Sequence, residues 1–453
     1  MEETKEKDIL RPEIVFLILA GLFGLLFLLI TPPFQVPDEY QHFDYAYAVS
    51  TGKIYGYTFV IPRSIYYLAE MTTSLPSHPD AKISYVAVMK FINSPVNPND
   101  NVPTNYQGVG KYNPIPYIPV AIGIGIARLL NLSTFDLFYF GRIINLSFWI
   151  LLVYYGIKFL PEFKWAFLLL VLTPMSLFQA GSYSADVVTN SLSFLWICMC
   201  LNYSLREQSL SSKARLLLIL IAAFLSLTKP PYFFLVGLFF IIPHSKFGSQ
   251  EQYKRTAILL FGISFLFLMF SFVYLITNDQ SIVTANKSIN LMGQMKFLLA
   301  DPFRFPIVVG RSIKYLRIPY WYSLIGLLGW LDVVLPKYIY VTYPVVALSV
   351  CLIGHQRQII FTLWQKLISF LVASAALFTA LLSVYLTWTP VGNKIIDGFQ
   401  GRYLIPIMPV LVPLFNNRFI SVSGKWKGIL VTGYLIIVLS ITVRTLIFRY
   451  YIV

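Results

Sequence analysis

An unbroken apolar run extends from Ile14 to Thr31 and stops at Pro32 and Pro33. It is long enough to cross a bilayer as a helix, and the prolines fix where the chain emerges. Further apolar stretches lie at about 141–160, 164–181, 186–204, 214–228, 231–245, 256–276, 338–354, 367–387, 403–417 and 427–447. They are continuous rather than alternating, which predicts an all-α polytopic membrane protein and not a barrel. One more apolar segment, Pro114–Asn131, is broken by Pro116 and Pro119 and is rich in small residues between Ala121 and Ala127. It reads as a helix lying in or near the membrane interface.

The short loops set the sidedness. Lys158–Lys164, Arg206–Arg215, Lys246–Arg255, Arg357–Lys366 and Arg418–Lys427 are rich in Lys and Arg and poor in acids. The positive-inside bias assigns them to the cytoplasm together with the N-terminus. This holds for eleven spans, with the C-terminus outside and Pro114–Asn131 not crossing. The first run is longer than a signal-peptide core and has no small-x-small cleavage site after it, so it reads as a retained helix. Gly52 and Lys287 are then expected outside, and Ser209 and Gly248 inside. The outer face receives two long loops, 32–140 and 277–337, and the turns at Ser182–Asp186, Lys229–Pro231 and 388–402. No linker, low-complexity tract or repeat divides the chain, so residues 1–453 read as one integral membrane domain. The 277–337 loop is expected to hold a short amphipathic helix around Met292–Leu299, then an aromatic stretch at Tyr320, Trp321 and Tyr322. Those rings suit the interface and would equally suit a sugar ring.

Composition agrees with this class. The chain is 57% hydrophobic and 12% charged, with a mean hydropathy of +0.69; soluble domains carry about 25% charged residues. The net charge of +15 fits basic cytoplasmic loops and anionic lipid head groups. No nucleic-acid-binding signature accompanies it. The three cysteines, Cys198, Cys200 and Cys351, all lie in apolar spans and suggest neither a disulfide framework nor a metal site.

The chemistry concentrates after the first span, in Pro37-Asp38-Glu39-Tyr40-Gln41-His42. Asp38 can act as a general base on an acceptor hydroxyl. Asp38 and His42, four apart, would share a helix face and could hold a divalent cation. The plain alternative for Asp38 is a helix cap. Asp186, after Gly181-Ser182-Tyr183-Ser184, is a second acid, and a favourable dipole at a helix N-terminus is its plain alternative. Arg142, Lys229, Arg311, Lys314, Arg317, Lys394 and Arg402 fall in outer loops or outer helix ends. The positive-inside bias disfavours them there, and a phosphate is an economical reason for them; snorkelling to lipid head groups is the plain one. No Walker loop, GxSxG elbow or HExxH pair is present. Helix interiors lack acids of the proton-relay type, which argues against a proton-coupled transporter.

Taken together, Pro33-Phe34-Gln35-Val36-Pro37-Asp38-Glu39, Gly181-Ser182-Tyr183-Ser184-Ala185-Asp186, Lys229-Pro230-Pro231-Tyr232, Gly326-Leu327-Leu328-Gly329-Trp330-Leu331-Asp332 and Gln400-Gly401-Arg402-Tyr403 resemble the motifs of a large bacterial polytopic membrane family catalogued as a domain of unknown function. That family resembles in turn the GT-C glycosyltransferases, which use polyprenyl-phosphate-linked sugars. The resemblance implies an acid in the first outer loop (Asp38, with Glu39 as the other candidate), a second acid at Asp186, an arginine opening the second span at Arg142, and interfacial helices at Asp38–Ser50 and Pro114–Asn131. Asn113-Pro114-Ile115-Pro116-Tyr117 is similar to a proline-tyrosine stretch of many members, with Ile115 interrupting the proline pair. No large soluble C-terminal domain of the oligosaccharyltransferase type is visible, and the acceptor is left unassigned.

The expected function is an inverting glycosyltransferase of the bacterial cytoplasmic membrane, working on its periplasmic or exterior face. Its partners would be a polyprenyl-phosphate sugar, such as an undecaprenyl one, membrane lipids, and an envelope glycan such as an O-antigen or teichoic-type polymer. The donor phosphate would rest on Arg402 and Lys229, with Arg142, Arg311, Lys314 and Arg317 assisting. Asp38, Glu39 and Asp186 are the catalytic candidates, and His42, Tyr183, Trp330 and Tyr403 the substrate-binding ones. The sequence names no cofactor with certainty and leaves open a divalent cation on Asp38 and His42. A transporter or flippase of lipid-linked sugars is the rival reading. It would want an inverted repeat and polar groups at mid-membrane, and the sequence offers neither.

Overall fold

The computed structural model describes residues 10–54, 58–97, 99–105, 112–278, 288–353, 361–416 and 424–452. Lys287, Arg357 and Arg418, named above as loop positions, lie outside the described residues. The chain runs from α1 (Pro12–Ile30) into a cap of short elements: α2 (Glu39–Ser50), β1 (Thr58–Pro62), α3 (Arg63–Glu70), α4 (Tyr85–Met89) and β2 (Asn101–Asn105). Next come α5 (Ile118–Leu129), α6 (Thr134–Phe159), α7 (Lys164–Val171), α8 (Pro174–Ala180), α9 (Asp186–Leu205), α10 (Ser212–Ser226) and α11 (Gln250–Thr277). The last part holds α12 (Leu291–Leu299), α13 (Arg304–Ile325), the ribbon β3 (Leu327–Leu328) and β4 (Val333–Val334), α14 (Lys337–Leu352), α15 (Leu363–Thr387), α16 (Val412–Phe415) and α17 (Gly424–Tyr450).

Six helices among the described residues are long and apolar enough to cross a membrane: α1, α6, α9, α11, α15 and α17. The other segments expected to span are shorter or broken. Residues 164–181 divide into α7 and α8, because Pro174 cannot continue the first helix. Residues 231–245 fall largely in a 3₁₀ segment, Pro230–Ile241, that starts on two prolines. Residues 403–417 form only single turns, Gly401–Leu404, Met408–Leu411 and α16, with Pro406, Pro409 and Pro413 spaced through them. The helices α10 and α14 are regular, but at 15 and 16 residues they rise only about 22–24 Å, short of the roughly 30 Å hydrocarbon layer.

The long helices are sorted by burial. Nearly all of α9 is buried, against α6, α10 and the 3₁₀ segment, which makes it the innermost helix. By contrast α11 turns Ile258, Leu266 and Val273 outward, and these apolar side chains suit lipid. In α5 the exposed residues Ile118, Ile122, Ile126 and Leu129 form one stripe, while Val120, Ile124 and Ala127 are buried. The spacing of three and four puts each set on its own face, and Gly123 lets α5 lie close on Gly141 of α6.

The two ends of the bundle differ. At one end the N-terminus of α1 meets the 158–164 loop through Glu13 and Lys164, 3.3 Å apart, and Leu210 N–H donates to the Lys246 carbonyl at 2.7 Å. At the other end sits the cap. Here Arg449 at the end of α17 donates to the Leu75 and Ala81 carbonyls at 2.6 and 3.1 Å and pairs with Asp332 at 2.8 Å. The C-terminus of α1 and the N-termini of α6 and α9 open into the same end, so the residues 32–38 and 181–186 are brought together there.

The cap is held to α2 by a buried acid. Asp44 is fully buried and accepts a hydrogen bond from Thr104 Oγ1 of β2. Its other oxygen has no partner. Burial pushes its carboxyl from the ordinary 3.8 up to about 8, against the opposing effect of the Thr104 hydrogen bond. A carboxyl raised in the folded state stabilises fully below its unfolded value, and the stabilisation is lost as pH rises through the folded value. We therefore expect hydrogen-exchange protection of the β1–β2 ribbon, corrected for intrinsic rates, to fall between about pH 4 and pH 8. Asp44→Asn should flatten that dependence; an unchanged slope in the variant would remove Asp44 from the account.

Candidate functional site

The loop between α1 and α2 builds one wall of the site. Two of its residues hold left-handed backbone, Phe34 at φ 62° and Asp38 at φ 64°. This region is uncommon for non-glycine residues, though Asp tolerates it better than most. Phe34 is kept there by its ring, which meets Phe138 at 4.7 Å and Phe43 at 5.8 Å between centroids. Arg142 holds the backbone. It lies two turns into α6, is fully buried, and spends all five N–H donors. Nη1 donates to the Leu28 and Thr31 carbonyls at 3.1 and 2.8 Å, and Nη2 to the Pro32 carbonyl at 3.1 Å. Nε and Nη2 reach the two oxygens of Glu39 at 2.9 and 2.5 Å. Glu39 also accepts the Tyr183 N–H at 3.2 Å.

This changes the parts of four expected site residues. Arg142 has no donor left for a phosphate, and Glu39 is sealed against it with no exposed side-chain surface. Both are therefore corrected from substrate chemistry to support of the loop. Tyr183 is also buried; its hydroxyl donates to the Phe138 carbonyl at 2.8 Å, so it is packing rather than a sugar contact. His42 is buried with Nδ1 2.7 Å from the Tyr117 hydroxyl. Burial outweighs the nearby Asp38 charge and lowers its pKa to about 4, which leaves the ring neutral at physiological pH.

Asp38 is the exposed one of the two adjacent acids, with 40% of its side chain accessible against none for Glu39. It occupies the N-cap position of α2, yet its side chain makes no capping hydrogen bond. Instead Oδ2 faces Arg402 Nη2 at 3.5 Å. Arg402 reaches the site because Gly401 lies directly on α13: a Cβ there would overlap the Tyr320 carbonyl and stand 2.6 Å from the Leu324 nitrogen. Ser323 Oγ accepts the Gly401 N–H at 2.7 Å and fixes the contact. Arg402 itself is 5% exposed, and its Nε has no acceptor.

Asp186, in the first turn of α9, forms a short ion pair with Lys229 and accepts from Gln179 Nε2 at 3.0 Å. Lys229 Nζ stands 5.5 Å from the ring centres of both Tyr112 and Tyr403, and the Tyr232 hydroxyl donates to the Tyr403 carbonyl at 2.9 Å. Asp38, Arg402, Asp186 and Lys229 therefore form one group of alternating charge. Tyr112 and Gln179 belong to it and carry no signal in the sequence beyond their closeness to the Asn113-Pro114 and Gly181-Ser182 stretches. Arg311, Lys314 and Arg317 are exposed along α13 rather than buried with the group.

Two cavities flank the group. One, of about 380 Å³, is lined by Asp38 together with Tyr40, Gln41, Tyr66, Glu70 and Trp330 among others. Trp330 sits on the tight β3–β4 turn, where Gly329 takes φ 59°, and its Nε1 donates to the Phe34 carbonyl at 3.0 Å. The other, of about 70 Å³, is lined by Lys229, Tyr112 and Tyr403 and by the ends of α11 and α15 at Leu275 and Trp388. A third cavity, of about 220 Å³ and almost wholly apolar, runs past Ile405, Met408, Leu324 and Tyr343 just beyond the Arg402 turn.

Among the described residues no three His, Cys, Asp or Glu side chains cluster as metal ligands. Asp38 and His42 offer at most two ligands to a divalent cation, and Lys229 and Arg402 adjoin the pair. A family model described as "Predicted membrane protein (DUF2142)" matches residues 21–411. No curated protein and no solved structure matches the chain.

Proposed function

We propose that this chain, which belongs to the DUF2142 family of predicted membrane proteins, is a GT-C-like inverting glycosyltransferase. It would move a sugar from a polyprenyl-phosphate donor to an envelope glycan. The observation that carries the reading is Arg402, a buried guanidinium beside the Tyr403 ring and between two acids, whose Nε has no acceptor and whose contact to Asp38 is long at 3.5 Å. A buried donor without an acceptor is costly, and an anion placed there would complete it. A phosphate diester does so, with Lys229 as the second cation on its far side. The apolar cavity beyond the Arg402 turn suits an isoprenoid chain, and the small cavity at Lys229 opens between helix ends that face lipid.

The chemistry balances with groups at hand. Phosphate on Arg402 displaces Asp38, whose carboxylate takes the proton of an acceptor hydroxyl. The hydroxyl oxygen attacks the anomeric carbon. The bond from that carbon to the phosphate oxygen breaks, and its electron pair leaves with the polyprenyl phosphate. Arg402 and Lys229 stabilise the charge that develops there. The basic loops at the far end support a cytoplasmic assignment for that end, and hence an extracytoplasmic one for the site.

Purified protein supplied with a panel of polyprenyl-phosphate sugars and envelope glycans, followed by product mass, tests the reading. Arg402→Ala should lose most transfer while staying folded, and Arg402→Lys should recover only part, because the charge returns without the planar fork. Full activity in the alanine variant would make Arg402 an anchor and nothing more. Transport of intact lipid-linked sugar across vesicles, with no transfer, would favour the flippase.

A further inference from the structure

The cavity at Asp38 has a composition that selects by charge. Three separate elements line it: α2 with Tyr40 and Gln41, α3 with Tyr66 and Glu70, and the β3–β4 turn with Trp330. Tyr66 and Glu70 are four apart on α3 and so share the face turned to the cavity. Two carboxylates, Asp38 and Glu70, reach it, and no Lys, Arg or His is among its lining residues. At about 380 Å³ it falls in the range of small-molecule sites. The Trp330 indole is held in place by its bond to the Phe34 carbonyl, so a flat apolar ring and two phenols stand ready around polar side chains. Flat aromatic surface with hydrogen-bonding groups nearby suits a sugar, which has an apolar face and a polar rim.

We infer that this cavity is the acceptor site and that it takes a neutral or amino-bearing sugar while rejecting anionic glycans. The inference rests on the transferase reading above and narrows its acceptor: polyphosphate and uronic-acid polymers fall outside it. The reason is electrostatic. An anionic residue entering the cavity would lie beside two carboxylates with no cation lining the space to offset it, and such like-charge contact is an effective device of rejection. A neutral sugar meets no such penalty, and an amine gains the Glu70 carboxylate. The cations of the site lie behind Asp38, where the phosphate of the donor is needed, so donor and acceptor are drawn to opposite sides of one charged row.

Binding can be measured without transfer, by titrating the full chain in nanodiscs with three disaccharides: diacetylchitobiose (neutral), chitobiose (two amines) and digalacturonate (two carboxylates). We expect the first two to bind and quench Trp fluorescence, and digalacturonate to bind at least tenfold more weakly. Glu70→Lys should weaken chitobiose at least tenfold and strengthen digalacturonate. Equal binding of all three to the wild type, binding of none, or no change of order in Glu70→Lys would each overturn the inference. Glu70→Gln, a gentler change on an exposed position, should weaken chitobiose alone; an equal loss for diacetylchitobiose would count against the charge argument. Binding as expected without transfer from any donor would leave this site standing and remove the transferase reading. Transfer to a uronic-acid polymer would do the reverse.

Discussion

Asp38→Asn is expected to lower glycosyl transfer on the order of 10²-fold or more while the protein stays folded. The substitution is well suited to the position. Asn adopts left-handed backbone about as readily as Asp, so the φ of 64° is kept and the chain path into α2 is unaltered. No cap is lost, because the Asp38 side chain does not cap α2. What goes is a carboxylate that can take a proton and the partner that faces Arg402 at 3.5 Å. Transfer measured with saturating donor separates the two losses. Loss of the base lowers kcat, whereas loss of the Arg402 contact moves donor KM. Near-normal kcat in the variant would end the assignment of Asp38 as base, and Asp186 is then the remaining acid in reach.

The largest effect on stability is expected from the Glu39–Arg142 pair. Removing one partner of a buried, hydrogen-bonded ion pair strands the other, at a cost of about 3–5 kcal/mol. Arg142→Met should come near that figure, since it also releases the Leu28, Thr31 and Pro32 carbonyls from their donors. Glu39→Gln should cost less, because an amide can still accept from Arg142. The double variant Glu39→Gln/Arg142→Met should be less damaging than the two single effects added. Thermal unfolding in detergent measures all three. A strictly additive double variant would show that the two side chains act apart, contrary to the bidentate contact. Activity should fall with stability in these variants, since the loop that presents Asp38 depends on them; they support the site and take no part in its chemistry.

The sequence disclosed the long helices and the members of the charged group more readily than the roles within it. An uninterrupted apolar run such as Ile14–Thr31 can hardly fold otherwise than as a span, and α1, α6, α9, α11, α15 and α17 are all long and apolar enough on average to do so, although α6 and α9 carry polar residues. Residues 403–417 are as apolar, but prolines at every third or fourth position leave only single turns, and hydropathy does not register that. Asp38 and Glu39 were inseparable for a different reason. Both are acids, and adjacent positions differ only in direction. The distinction comes from Arg142, 103 residues away, which claims one of them. The cations on α13 show the converse. Arg311, Lys314 and Arg317 stand out by charge, yet their helical face keeps them exposed. Arg402 on the neighbouring turn is drawn into the site by the contact that Gly401 permits.

If the proposed transfer is what this chain does, the alternation of Asp38, Arg402, Asp186 and Lys229 bears on how the cycle finishes. By themselves the four side chains sum to zero charge. A donor phosphodiester adds one negative charge, but the polyprenyl phosphate left behind is a monoester carrying nearly two at neutral pH. Each turnover would thus tighten the hold of the two cations on the spent carrier at the moment it must leave. The proton that Asp38 has just taken offers the release. Handed to the monoester, it reduces the carrier's charge to that of the donor and restores the carboxylate to face Arg402 again. On that reading, recycling of the lipid carrier and resetting of the base are a single event.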